Sequence, residues 1–110
     1  MLINLTPHEI VILVGDEERH ILPFGEIARC TVSSRQVRAV DGIAVYANIF
    51  GAVEGLPDPQ EGTTFIVSFP VLQALAGKRS DLVGPDTSPA GNPVRNEAGQ
   101  IVAVRRFQVL

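Results

Sequence analysis

The chain has 110 residues, a net charge of −3 at neutral pH, 45% hydrophobic residues and only 5% aromatic ones. That length makes one domain, residues 1–110, with enough apolar content to bury a core without disulfides or metals. The acidic balance excludes a duplex-DNA binder, which needs a dense basic face, and the absence of Trp argues against a stacking platform for single strands.

In chain order, Leu2 to Leu5 is a short apolar run ended by Thr6-Pro7-His8. Ile10 to Val14 is apolar throughout and reads as a central strand. Asp16-Glu17-Glu18 marks a turn, and Arg19 to Leu22 a third strand closed by Pro23-Phe24-Gly25. Glu26 to Val32 alternates as a strand, whereas Ser33 to Val40 is open between a polar strand and a loop. Asp41-Gly42 is a strong turn signal before a strand from Ile43 to Phe50, with a bend at Gly51.

The most informative stretch is Thr63 to Gly99. Thr63 to Val67 is β-branched or aromatic and predicts a strand. Ser68 can cap a helix with its hydroxyl, Pro70 suits the first turn, and Val71, Leu72, Leu75 and Ala76 share one helical face. The spacing predicts a helix over Phe69 to Ala76, stopped at Gly77. Gly77 to Pro93 then reads as a long polar loop, anchored partway by Leu82 and Val83. Asn96 to Gly99 reads as a hairpin turn with Gly99 in a left-handed bulge position, and Ile101 to Leu110 as the last strand. The sum predicts a mainly β (α+β) domain, a small antiparallel barrel or sandwich with one short helix after the Thr63–Val67 strand.

At Asn4-Leu5-Thr6-Pro7-His8 the chain resembles a family of small proteins from bacteriophages, prophages and actinobacterial genomes. The resemblance extends to Gly55-Leu56-Pro57, Gly62-Thr63, Ile66-Val67-Ser68, Arg79-Ser80-Asp81-Leu82, Pro85 and Arg95-Asn96-Glu97. It implies a phage or mobile-element setting and no particular biochemical activity. The opening residues carry no basic leader, no apolar run reaches the ~20 residues of a membrane helix, and Cys30 has no second cysteine to pair with. A cytoplasmic protein away from the membrane, without cofactor or metal, is expected.

Charge is uneven: residues 1–62 carry four basic and nine acidic side chains, whereas residues 63–110 carry five basic and three acidic ones. The richest polar set lies in that second part: Arg79, Ser80, Asp81, Thr87, Ser88 and Arg95. Arginine forks with hydroxyl groups recognise phosphate or carboxylate, so these residues are a candidate site for a small anionic, nucleotide-derived ligand. The plainer reading is an ion pair of Asp81 with Arg79 or Arg95 that pins the loop. Thr6 and His8 form a possible second site, for acid–base chemistry with Glu9, or more simply a hydrogen-bonded turn. His20 beside Asp16, Glu17 and Glu18 matches no calcium loop, and Cys30 among apolar neighbours reads as an inert thiol. No nucleophile elbow, P-loop or dinucleotide fingerprint is present. The leading expectation is therefore a non-enzymatic accessory protein that binds a protein partner or assembles with itself through exposed strand edges. The alternative is a binding module for a phosphate-bearing small molecule.

Overall fold

The computed structural model describes all 110 residues, Met1–Leu110. Ten strands occur in chain order: β1 (Leu2–Asn4), β2 (Ile10–Val14), β3 (Glu17–Ile21), β4 (Arg29–Val40), β5 (Ile43–Glu54), β6 (Thr64–Ile66), β7 (Leu82–Pro85), β8 (Val94–Arg95), β9 (Ile101–Ala103) and β10 (Phe107–Gln108). One helix, α1 (Phe69–Ala74), follows β6, and a 3₁₀ turn spans Pro89–Gly91.

The core is built around β6, whose alternating side chains feed two apolar clusters. Phe65 and Val67 pack with Leu5, Ala28, Leu82 and the α1 residues Val71 and Leu72. Ile66 faces the other way, onto Ile10, Ile12 and Val104. The strand is flanked by β1 and β7, both parallel to it, and β10 closes the sheet antiparallel to β7. Covered on both faces, this segment carries an unbroken apolar run, as buried parallel strands do.

The mainly β class with one short helix is as expected, but the sheets do not close into a barrel. The central sheet is mixed, and three separate two-stranded pairs (β2–β3, β4–β5, β8–β9) surround it. Parallel neighbours arise because the chain between β1 and β6 departs as hairpins and returns on the same heading. No helix is long and apolar enough to cross a membrane.

Several local expectations hold and some need correction. Gly99 has φ +82°, and Asn96 Oδ1 accepts the N–H groups of Ala98 and Gln100, which makes the predicted turn. Gly77, at φ +75°, follows α1, although the regular helix stops at Ala74. Ser68 occupies the N-cap position without a side-chain capping bond; its carbonyl accepts the Leu72 N–H at 3.0 Å. The 77–93 segment is not a single loop, since β7 and the 3₁₀ turn interrupt it. The last strand is also broken: Arg105 and Arg106 leave the ladder between β9 and β10 to bond the Asn92 carbonyl and Asp86.

The largest departure is β4–β5. The ambiguous Ser33–Val40 segment is strand, paired with Ile43–Phe50 through a turn in which Asp41 (φ +49°) and Gly42 (φ +78°) are both left-handed. Two left-handed central residues make a type I′ turn, whose twist matches a long hairpin. Each strand has 12 residues; nearly all of those in β4 and two thirds of those in β5 are exposed. Near its base the pair touches α1, and its outer part projects as an arm. The radius of gyration is 16.2 Å, against about 13 Å for a compact chain of this length.

Candidate functional site

The Thr6–His8 turn is governed by Asn4, which is 1% exposed. Its amide donates to the carbonyls of His8 (2.8 Å) and Ile21 (3.0 Å). Its Oδ1 accepts from the Thr6 backbone N–H (3.0 Å) and the Thr6 hydroxyl (2.7 Å). All the hydrogen-bonding capacity of that amide is used internally. Leu5 between them is fully buried. Thr6 is therefore a turn-locking residue, and the His8 ring is exposed with only its carbonyl in the network. Thr6, His8 and Glu9 line one end of a shallow groove of about 590 Å³ whose floor includes Ile10, Val67 and Val104.

The loop set does not converge. Arg79 bonds Asp81 with two nitrogens, at 2.8 and 2.7 Å, and also the Pro57 carbonyl at 3.0 Å. Both side chains are more than four-fifths buried. The hydrogen bonds from Arg79 hold the Asp81 carboxyl below its ordinary range, and Asp81 raises the Arg79 guanidinium in turn. Arg79 and Ser80 line a cavity of about 530 Å³ beside Leu75 and Leu110, whereas Thr87 lines the separate groove of His8. Arg95 lies on β8 and donates to the Gly99 carbonyl at 2.7 Å. The Ser88 hydroxyl and N–H both turn onto Asp86.

Asp86, a residue the sequence reading passed over, is the true centre of that loop. It is buried and bonded to Ser88 and to Arg106 Nε at 2.6 Å. Those bonds, from Ser88 first and then Arg106, lower its carboxyl to about 2. Gly91 packs so close that an added Cβ would lie 2.9 Å from the Asp86 carboxyl carbon. An Asp-x-Ser spacing is the visible trace of such a turn.

His20 is held between two carboxylates, with Nδ1 on Glu9 and Nε2 on Glu18 at 3.0 Å. Glu9 is the main cause of its raised pKa, with Glu18 adding to it. Cys30 is half-buried, its thiol directed at the carbonyls of Thr31 and Gly51. Both ring nitrogens of His20 are taken by carboxylates, which leaves neither free to activate a nucleophile.

What the surface offers instead is the β4–β5 arm. The register places Arg35, Arg38, Val40, Ile43, Val45, Ala47 and Ile49 on one face. Val32, Ser34, Gln36, Tyr46, Asn48 and Phe50 share the other. Neither face is covered: Ile43 is 69% exposed, Tyr46 55%, Val32 52% and Ile49 50%. Both strand edges are open as well, because β4 and β5 pair only with each other. A lone two-stranded hairpin is marginal in water, and exposed edges of this kind invite pairing. Asp-Gly between two long β-rich runs was the sequence signal; the exposure of both faces was not predictable, since aliphatic alternation ordinarily means burial on one face.

No family model matches this chain, and comparison with curated proteins and with solved structures found no match.

Proposed function

We propose that the protein is a non-enzymatic structural component that acts by self-assembly, with the β4–β5 arm as its assembly surface. The supporting observation is that the apolar side chains Val32, Ile43, Tyr46 and Ile49 of the arm stand exposed, in a chain whose whole surface is larger than a compact fold needs. The chain exposes 7366 Å², whereas a compact monomer of its mass exposes about 5,900 Å². The excess, about 1,450 Å², is more than the ~800 Å² that one partner contributes to a standard specific interface. Only 16 of 110 residues are buried, so the monomer has a small core for its length and gains from covering the arm. The likeness to small phage and prophage proteins fits a particle or mobile-element component acting in the cytoplasm. The alternative, an anion-binding loop, has less support because Arg79 is committed to Asp81 and Arg95 lies apart from it.

The test is sedimentation of the purified protein across a concentration series, beside a variant carrying Val40→Thr, Ile43→Thr and Ile49→Thr. Threonine keeps the strand preference of these residues and removes apolar surface. The wild type should associate in the micromolar range, and the variant should remain monomeric and folded. A wild type that stays monomeric at every concentration refutes the reading.

A further inference from the structure

The arm carries a charge pattern as well as apolar surface. From Arg29 to Val40, β4 has three arginines and no acidic residue. The whole arm, residues 29–54, sets Arg29, Arg35 and Arg38 against Asp41 and Glu54, a net of +1. The preceding residues 1–28 set Arg19 against Glu9, Asp16, Glu17, Glu18 and Glu26, a net of −4. Residues 55–110 balance at five of each sign. The negative charge of the protein is thus concentrated on and around the β2–β3 hairpin.

The two surfaces match in detail. Register pairs Val11 with His20 and Leu13 with Glu18, so these four share the outer face of β2–β3, opposite the face that carries Ile10 and Ile12 into the core. Glu9 joins them through its contact with His20. That outer face carries the half-buried Val11 and Leu13 and two exposed carboxylates, Glu9 and Glu18, which share His20 between them, so an arriving guanidinium competes with the imidazole for them. The Arg35 face of the arm is an aliphatic strip with two guanidinium groups. Strands of five residues run about 17 Å, which the outer half of the arm can cover.

We infer that the Arg35/Arg38 face of the arm in one copy docks on the outer face of β2–β3 in another copy, with Arg35 and Arg38 meeting Glu9 and Glu18. This deepens the self-assembly reading and rests on it. Pairing of β4 on β4 between copies is disfavoured, since it brings together two strands that each hold three arginines. Because donor and acceptor are different surfaces, the contact is heterologous and yields a reciprocal pair, a closed ring or a filament.

The experiment is charge reversal followed by mixing. Arg35→Glu with Arg38→Glu alters the donor, and Glu9→Arg with Glu18→Arg alters the acceptor. Each protein alone should dissociate at a concentration on the order of 100-fold higher than the wild type, because like charges now face one another. An equimolar mixture should assemble as the wild type does, since the arm of each variant is complementary in charge to the β2–β3 face of the other. Placing all four changes in one chain should restore assembly. Glu17→Arg, whose strand partner Val14 lies on the other face of the hairpin, should assemble normally. Melting curves of each variant establish that it is folded, and if Glu9→Arg with Glu18→Arg unfolds, Glu18→Arg alone takes its place. Unchanged assembly of the acceptor variant, with loss in the donor variant, overturns this inference and leaves arm-mediated assembly standing. Equal loss in Glu17→Arg also overturns it, since net charge alone would then explain the effect. A monomeric wild type overturns both.

Discussion

Replacing Asn4 with Leu should cost about 3 kcal/mol of folding stability. The side chain is 1% exposed and makes four hydrogen bonds, to the His8 and Ile21 carbonyls and to the N–H and hydroxyl of Thr6. Leucine fills a similar space but leaves those partners without one. A typical bond contributes about 1 kcal/mol net, and a buried group left unpaired costs about 1–3 kcal/mol. Some of the four will reach water after local relaxation, so the expected loss lies below the full sum. At this chain length it lowers the melting temperature by roughly 15 °C. The measurement is thermal or urea unfolding in the Val40→Thr, Ile43→Thr, Ile49→Thr background, where association does not shift the apparent stability. Asn4→Asp is the companion variant. It keeps an acceptor for Thr6 but sets a carboxylate against two carbonyl oxygens, which raises its folded-state pKa. Its deficit should therefore shrink as pH falls through that raised value. A loss under about 1 kcal/mol for Asn4→Leu would refute the assignment of Asn4 as the bonding centre of the turn.

Three further outcomes are expected. Asp86 has its carboxyl lowered to about 2 by Ser88 and Arg106, so its contribution is complete above the unfolded value of about 4 and is lost as pH falls toward 2; Asp86→Asn should flatten the acid limb of a stability–pH profile, and an unchanged limb would contradict that role. Arg79→Ala removes the paired bonds to Asp81 and the bond to Pro57, and should cost about 2 kcal/mol in urea unfolding; a neutral effect would reopen Arg79 as a ligand-binding group. The His20 pKa is raised chiefly by Glu9, so its stabilising effect is full below the ordinary value of about 6.5 and fades as pH rises through the raised value. An NMR titration should show that value falling in Glu9→Gln, and no change would remove Glu9 as the cause.

The sequence was most legible where local chemistry and burial agree. Thr64–Ile66 is β-branched and aromatic, lies at the centre of the sheet, and was readable as a strand. The turns at Asp41-Gly42 and Asn96–Gly99 follow from residues that tolerate left-handed backbone, as their φ angles show. Legibility failed where long-range partners decide. The Asn4-Leu5-Thr6-Pro7-His8 motif was visible, but that Asn4 is its centre depends on the Ile21 carbonyl, 17 positions away. Arg79 and Asp81 were recognised as a polar pair, and only the buried geometry shows them turned on each other. Barrel closure failed as an expectation because hairpin signals specify pairs of strands and leave open which pairs join one sheet. The arm was hardest to foresee: its aliphatic residues alternate like those of a core strand, and nothing local marks them as uncovered.

The most direct test of arm-mediated assembly is amide hydrogen exchange of the wild type, read at low and at high protein concentration. If the arm is the assembly surface, amides of residues 32–50 should exchange rapidly when dilute and become protected when concentrated, while those of Phe65 to Val67 in the core stay protected at both. Arm amides that exchange at the same rate at both concentrations, in a sample that sedimentation shows to have associated, would contradict the account and place the interface elsewhere on the molecule.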